Sequence, residues 1–139
     1  MSERPRVVFD TNIFFSAAAW KGAPFGCVQA ARRGECVSVT CREILDELRE
    51  KLQAKLEMSF DQAEQFAMEI QTFSQIVAVD QIPRVVAADP DDDVVIACAR
   101  AGKAQFIVSG DKHLLNLGNA VEVEVLRAAD FLKKNRARH

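Results

Sequence analysis

The amino-acid sequence predicts an α/β fold, with a mainly parallel five-stranded sheet covered by helices on both faces. Three observations predict it. Five short apolar, β-branched runs have the character of buried strands. Helical stretches separate those runs, and such alternation yields parallel strands with helices above and below them. The chain has 139 residues, 49% of them hydrophobic, with only 4 prolines and 6 glycines, which suits a single domain spanning 1–139 with a real core.

Taken in order, RVVF at 6–9 is the first strand, and helices follow over 12–19 and 24–33. CVSV at 36–39 is the second strand. The helix over 41–57 is the clearest, because Ile44, Leu45, Leu48, Leu52 and Leu56 recur at helical spacing among mostly charged neighbours. Thr40 and Glu43 match a capping box at its start. Ser59 precedes the helix over 60–74, where Phe60, Ala63, Phe66, Ala67 and Ile70 form a second apolar stripe. The two helices predict an αα-hairpin with both stripes packed in the core. QIVAV at 75–79 is the third strand, and DQIPRVVAADP after it is the loosest stretch of the chain. In the helix over 90–102, Asp89 suits the N-cap and Pro90 the first position, while Asp91 and Asp92 complement the helix dipole. FIVS at 106–109 and VEVEVL at 121–126 are the last two strands, with a helix over 112–117 between them and one over 127–137 at the end.

Composition narrows the function classes. No run of about 18 apolar residues exists, and MSERPR lacks the apolar stretch of a signal peptide, so a soluble, cytoplasmic protein without membrane association is expected. Cys27, Cys36, Cys41 and Cys98 are irregularly spaced, which fits neither a zinc site nor a disulfide framework and predicts reduced thiols in or near the core. The net charge of −2 provides no global attraction to nucleic acid. Arg32, Arg33, Lys51, Lys55, Lys133, Lys134, Arg136 and Arg138 are available for local basic patches, or are ordinary solvated helix faces. His113, the only internal histidine, has no evident partner and reads as structural or exposed; Trp20 reads as partly buried at the edge of the core.

Four acids stand where one element gives way to the next. Asp10 follows the first strand directly, and the cleft beyond the carboxyl ends of parallel strands is where ligands bind. A turn or N-cap role, shared with Asn12, explains Asp10 as well. On the long helix, Asp46 lies about 200° from Ile44 and faces solvent, whereas Glu47 lies about 60° from it and flanks the apolar stripe. Glu47 can reach a cleft or pair with Lys51 at i+4. Asp93 sits a full turn inside its helix, where the dipole benefit is weak, so a metal ligand would account for it, with Asp92 as the nearest substitute. Asp111 follows FIVSG at a strand end and suits an N-cap or a site, and Ser109 suits a hydrogen bond to a carboxylate or phosphate, or a turn. Packed carboxylates repel unless they are protonated or share a cation, so convergence of these four would make a site for Mg²⁺ or Mn²⁺.

In order, VVFDTNIFFSA, EILDEL, DPDDDVVIACA and FIVSGDKHLL resemble the PIN domain over nearly the whole chain. The resemblance is to its small stand-alone bacterial and archaeal members, the VapC-like ribonucleases grouped as toxins of toxin-antitoxin systems. It implies a three-layer, Rossmann-like α/β/α sandwich and a Mg²⁺- or Mn²⁺-dependent endoribonuclease acting on single-stranded RNA. It also implies a homodimer and a protein antitoxin as partner. The family's acids fall on Asp10, Glu47, Asp93 and Asp111, with Asn12 and Ser109 as polar companions. Metal-assisted hydrolysis of this kind leaves a 5′-phosphate and a 3′-hydroxyl.

Three other readings compete. A haloacid-dehalogenase-like phosphatase needs a second Asp where Asn12 stands, and a receiver domain needs a lysine soon after its fifth strand, where none occurs until Lys133. A catalytically inactive PIN-fold module that binds nucleic acid or protein is the remaining alternative.

Overall fold

The computed structural model describes residues 4–79, 90–117 and 122–138. Strand β1 (Arg6–Phe9) leads into helices α1 (Thr11–Ala19) and α2 (Ala23–Arg32), and β2 (Val37–Thr40) into α3 (Arg42–Leu56) and α4 (Phe60–Thr72). After β3 (Ser74–Ile76) come α5 (Pro90–Ala101), β4 (Phe106–Val108), α6 (Lys112–Leu115), β5 (Glu124–Leu126) and α7 (Ala128–Arg138). Asp89, the expected N-cap of α5, lies outside the described residues, as does most of DQIPRVVAADP.

The strands form one sheet in the order β3-β2-β1-β4-β5, and every pairing is parallel. From β1 the chain steps outward through β2 to β3, then crosses back to β4 and continues to β5. Parallel crossovers are right-handed, so connections running in opposite directions along the sheet lie on opposite faces. Helices α1 to α4 therefore occupy one face and α5 the other, where α5 packs on β1, β2 and β4. The result is the expected three-layer α/β/α sandwich. Helix α7 returns to α2, and Phe131 on it meets Phe9 edge-on at 6.1 Å, while Phe14 of α1 meets the same ring at 5.7 Å. Val7, Val8, Phe9, Ile107 and Val108 are fully buried, which is why β1 and β4 contain almost no polar residue, while β2 buries Ser38 and Thr40 beside Val39.

Where element ends differ from expectation, backbone partners explain the difference. The third strand stops at Ile76 instead of continuing to 79. Val77 makes one further bond, to the Thr40 carbonyl, but β2 then turns into α3 and offers nothing more to pair with. Helix α4 stops at Thr72 because Ser74 pairs with Ser38, their hydroxyls 2.8 Å apart. The last strand begins at Glu124, since Glu122 has a left-handed φ of 66° that cannot continue a ladder; Val121 lies outside the described residues.

The αα-hairpin forms as expected, with Arg49 of α3 reaching Glu64 of α4 at 2.8 Å, and Ser59 and Gln62 make a complete capping box. Three further expectations need correction. The N-cap of α3 is Cys41, not Thr40, which ends β2 with its hydroxyl buried and turned away from any cap bond, so Glu43 has no capping task. Trp20 and Phe60 are 58% and 66% exposed, because Trp20 follows the last turn of α1 and Phe60 opens α4, both beyond the packed helix centres. All four cysteines are buried free thiols. Among the described residues, no helix is long and apolar enough to cross a membrane.

Gly102, just past α5, sets how closely that helix approaches the sheet. A Cβ there would lie 2.3 Å from Cγ1 of the fully buried Val39. Gly102→Ala should therefore lower stability by about 1–3 kcal/mol, the usual cost of overpacking a core. Urea denaturation would register this as an earlier midpoint with unchanged slope; an unchanged midpoint would contradict the close packing.

Candidate metal and catalytic centre

Parallel pairing of β1 with β4 aligns Phe9 with Val108, so the next residues of the two strands, Asp10 and Ser109, emerge side by side. The Asp10 amide donates to the Val108 carbonyl at 3.1 Å and extends the ladder by one bond. This is also where strand order reverses, since β1 leads to β2 on one side while β4 leads to β5 on the other. Diverging connections open a crevice at such a point.

Asp10 is the N-cap of α1, its Oδ1 accepting from the Ile13 amide at 3.0 Å, while its Oδ2 accepts a short hydrogen bond from Ser109 Oγ. Capping and a cleft position thus coincide in one residue. Asp10 is 5% exposed, and burial pushes its carboxyl above the usual range. The Ser109 hydroxyl and the Ile13 and Asn12 amides pull it back, and the charge of Asp111 pushes it further up. Ser109 is fully buried and links the two acids, because the same Oγ accepts from the Asp111 amide at 2.9 Å. Asp111 is likewise an N-cap, its Oδ1 accepting from His113 at 2.7 Å and Leu114 at 3.3 Å.

Glu47 comes from α3. Its Oε1 lies 3.0 Å from Lys51 Nζ, the i,i+4 pair anticipated from spacing, and that ammonium also donates to Asn12 Oδ1 at 2.9 Å. Asp46 is turned outward and pairs with Arg49 at 2.8 Å.

Asp10, Thr11, Asn12, Glu47, Lys51, Asp92, Val95 and Asp111 line one small polar cleft. Of the acids proposed from sequence, Asp10, Glu47 and Asp111 meet there. Asp92 and Asp93 are both buried, but consecutive helical positions point about 100° apart, and the cleft is lined by Asp92 and by Val95, one turn along the same face. Asp93 is not among the lining residues. Lys51 is the lining residue whose importance sequence reasoning passed over, since its spacing from Glu47 reads as an ordinary surface pair. His113 is exposed.

Apart from the Lys51 ammonium, the polar side chains lining the cleft are the four carboxylates, the Thr11 hydroxyl and the Asn12 amide, without histidine or thiolate. That set fits a hard cation such as Mg²⁺ or Mn²⁺ and not zinc. Among the described residues, no three such side chains already converge on a single point, and Glu47 is engaged by Lys51.

A family model described as "PIN domain" matches residues 6–113. Solved structures similar to this chain include PAE2754 from Pyrobaculum aerophilum, with a TM-score of 0.66 and 13% identity over 96% of this chain and 91% of that one. FitAcB from Neisseria gonorrhoeae has a TM-score of 0.58 and 13% identity over 88% of this chain and 97% of that one. At that identity the likeness concerns the fold. Among curated proteins, no sequence is significantly similar to this chain.

The buried Asp10 carboxyl gives a pH-dependent prediction. Its folded-state pKa is raised, so its contribution to stability is fully present below the unfolded value of 3.8 and is lost as pH rises through the folded value. Asp10→Asn keeps an N-cap oxygen, and its amide can donate to Ser109 Oγ. In EDTA at neutral pH the variant should melt above the wild type, with the gap closing as pH falls. A variant that melts lower at neutral pH would mean the ionised carboxylate is not a burden on the metal-free fold.

Proposed function

Because the chain belongs to the PIN domain family, whose members are generally nucleases, we propose that it is a metal-dependent endoribonuclease that hydrolyses single-stranded RNA. One observation carries this reading. Acids from four separate elements, Asp10 after β1, Glu47 on α3, Asp92 on α5 and Asp111 after β4, line one cleft at the reversal point of the sheet. Among the described residues that line this cleft, four are acids and one, Lys51, is a cation, a balance that suits a bound metal ion.

Asp10, Glu47, Asp92 and Asp111 would hold Mg²⁺ or Mn²⁺, with Asn12 and Ser109 as polar companions. The bound ion supplies an activated water and charge stabilisation at the phosphate and the leaving oxygen. Asp10 is held by its cap bond and by Ser109, so its carboxylate keeps one orientation while the more open Glu47 and Asp111 adjust. Val95 provides an apolar wall on the α5 side of the cleft. The third ligand is assigned to Asp92 over the Asp93 register favoured by sequence, on the ground that Asp92 faces the cleft. Products would carry a 5′-phosphate and a 3′-hydroxyl. Family membership supports the remaining parts of the reading: a cytoplasmic toxin, homodimeric and restrained by a protein antitoxin.

A second reading, an inactive PIN-fold module that binds nucleic acid or protein, is favoured by the Lys51 ammonium already seated against Glu47. Incubating the protein with fluorogenic single-stranded RNA and Mn²⁺ or Mg²⁺ separates the two. We expect cleavage that stops in EDTA and falls on the order of a hundredfold or more in Asp10→Asn, the scale of losing one group that stabilises transition-state charge. No cleavage, or cleavage indifferent to EDTA and Asp10→Asn, favours the binding module or a contaminant. Asp92→Asn should abolish turnover and Asp93→Asn should retain most of it; the reverse result would restore the Asp93 register.

A further inference from the structure

The ammonium of Lys51 contacts two oxygens that the proposed site would offer to a metal, Glu47 Oε1 at 3.0 Å and Asn12 Oδ1 at 2.9 Å. These oxygens belong to different helices, α3 and α1, so the lysine bridges the cleft wall and does not merely decorate one helix face. Lys51 and Glu47 are only partly exposed, with side chains at 27% and 24% of full accessibility, whereas Asn12 is exposed. An ammonium and a divalent ion cannot share the same oxygens, and they repel each other at short range.

We propose that Lys51 is a positioning residue, a tethered cation that competes with the divalent metal for Glu47 and Asn12. The inference rests on the metal-site reading above. In the metal-free protein, Lys51 keeps Glu47 folded toward Asn12. Metal loading must break that ion pair, so the chain binds its ion more weakly than its carboxylates alone would allow. Occupancy then depends on metal supply, and the Asp10 and Asp111 side of the cleft is the part available first.

The test is calorimetric titration of Mn²⁺ into the wild type, Lys51→Met, Glu47→Gln and the double variant, with melting in EDTA to verify folding. Methionine keeps the length and helix preference of lysine without its charge. Lys51→Met should bind Mn²⁺ on the order of tenfold more tightly, the scale of removing a partly exposed ion pair together with a like charge at the site. Most of that gain should vanish in the Glu47→Gln background, where the ammonium no longer blocks a carboxylate ligand. Unchanged or weaker binding in Lys51→Met overturns the inference and leaves the metal site standing. An equal gain in the Glu47→Gln background also overturns it, since Lys51 would then act only as a general positive charge. If neither the wild type nor Lys51→Met binds Mn²⁺, the metal-site reading fails and takes this inference with it.

Discussion

The parallel register of β1 against β4 is the constraint from which the rest of the site follows. Once Phe9 is opposite Val108, Asp10 and Ser109 leave the sheet together, and a single hydroxyl can donate to one acid while accepting the backbone of the next. A slip of one residue would turn every side chain of β1 to the other face, removing Phe9 from its contacts with Phe14 and Phe131 and Asp10 from the crevice. Core packing and site geometry are therefore fixed by the same pairing.

Acidic residues gathered in one cleft destabilise a fold unless each finds local compensation. Asp10 and Asp111 cap helices, so backbone amides offset part of their charge before any ion arrives. Glu47 has Lys51 instead. These three solutions leave different freedoms. Asp10 is held through both oxygens and is the most buried of the three, whereas Glu47 is held by a flexible side chain that can withdraw. On the proposed metal-site reading, a rigid inner carboxylate with a displaceable outer one suits a centre that assembles around an ion.

Much of this architecture was legible in the residues. Buried parallel strands require unbroken apolar runs, so RVVF and FIVS located β1 and β4, and the leucine stripe located α3. Cap chemistry and site chemistry were both read at Asp10 and Asp111, and the structure makes the caps real while keeping both residues in the cleft. What escaped depended on partners distant in sequence. The end of β3 follows from β2 turning away, and the exposure of Trp20 and Phe60 from where the packed helix centres stop. Thr40 failed as a cap because its strand continues one residue further than the local pattern suggests. The helix dipole already explains Asp92, which favours Asp93 as the ligand, but that local argument carries no information on which of the two lies toward the cleft, which Asp92 lines. Lys51 looked like half of a surface ion pair because nothing in its own neighbourhood reveals that Asn12, 39 positions earlier, completes the contact.

The central claim is that these acids form one divalent-cation site, and diffraction can locate the ion without relying on turnover. Crystals soaked in Mn²⁺ and measured near the manganese absorption edge should give an anomalous peak in the cleft, within coordinating distance of Asp10, Asp92 and Asp111, with Glu47 turned away from Lys51. No peak in the cleft at saturating Mn²⁺, or a peak only at some other acidic surface, would contradict the account.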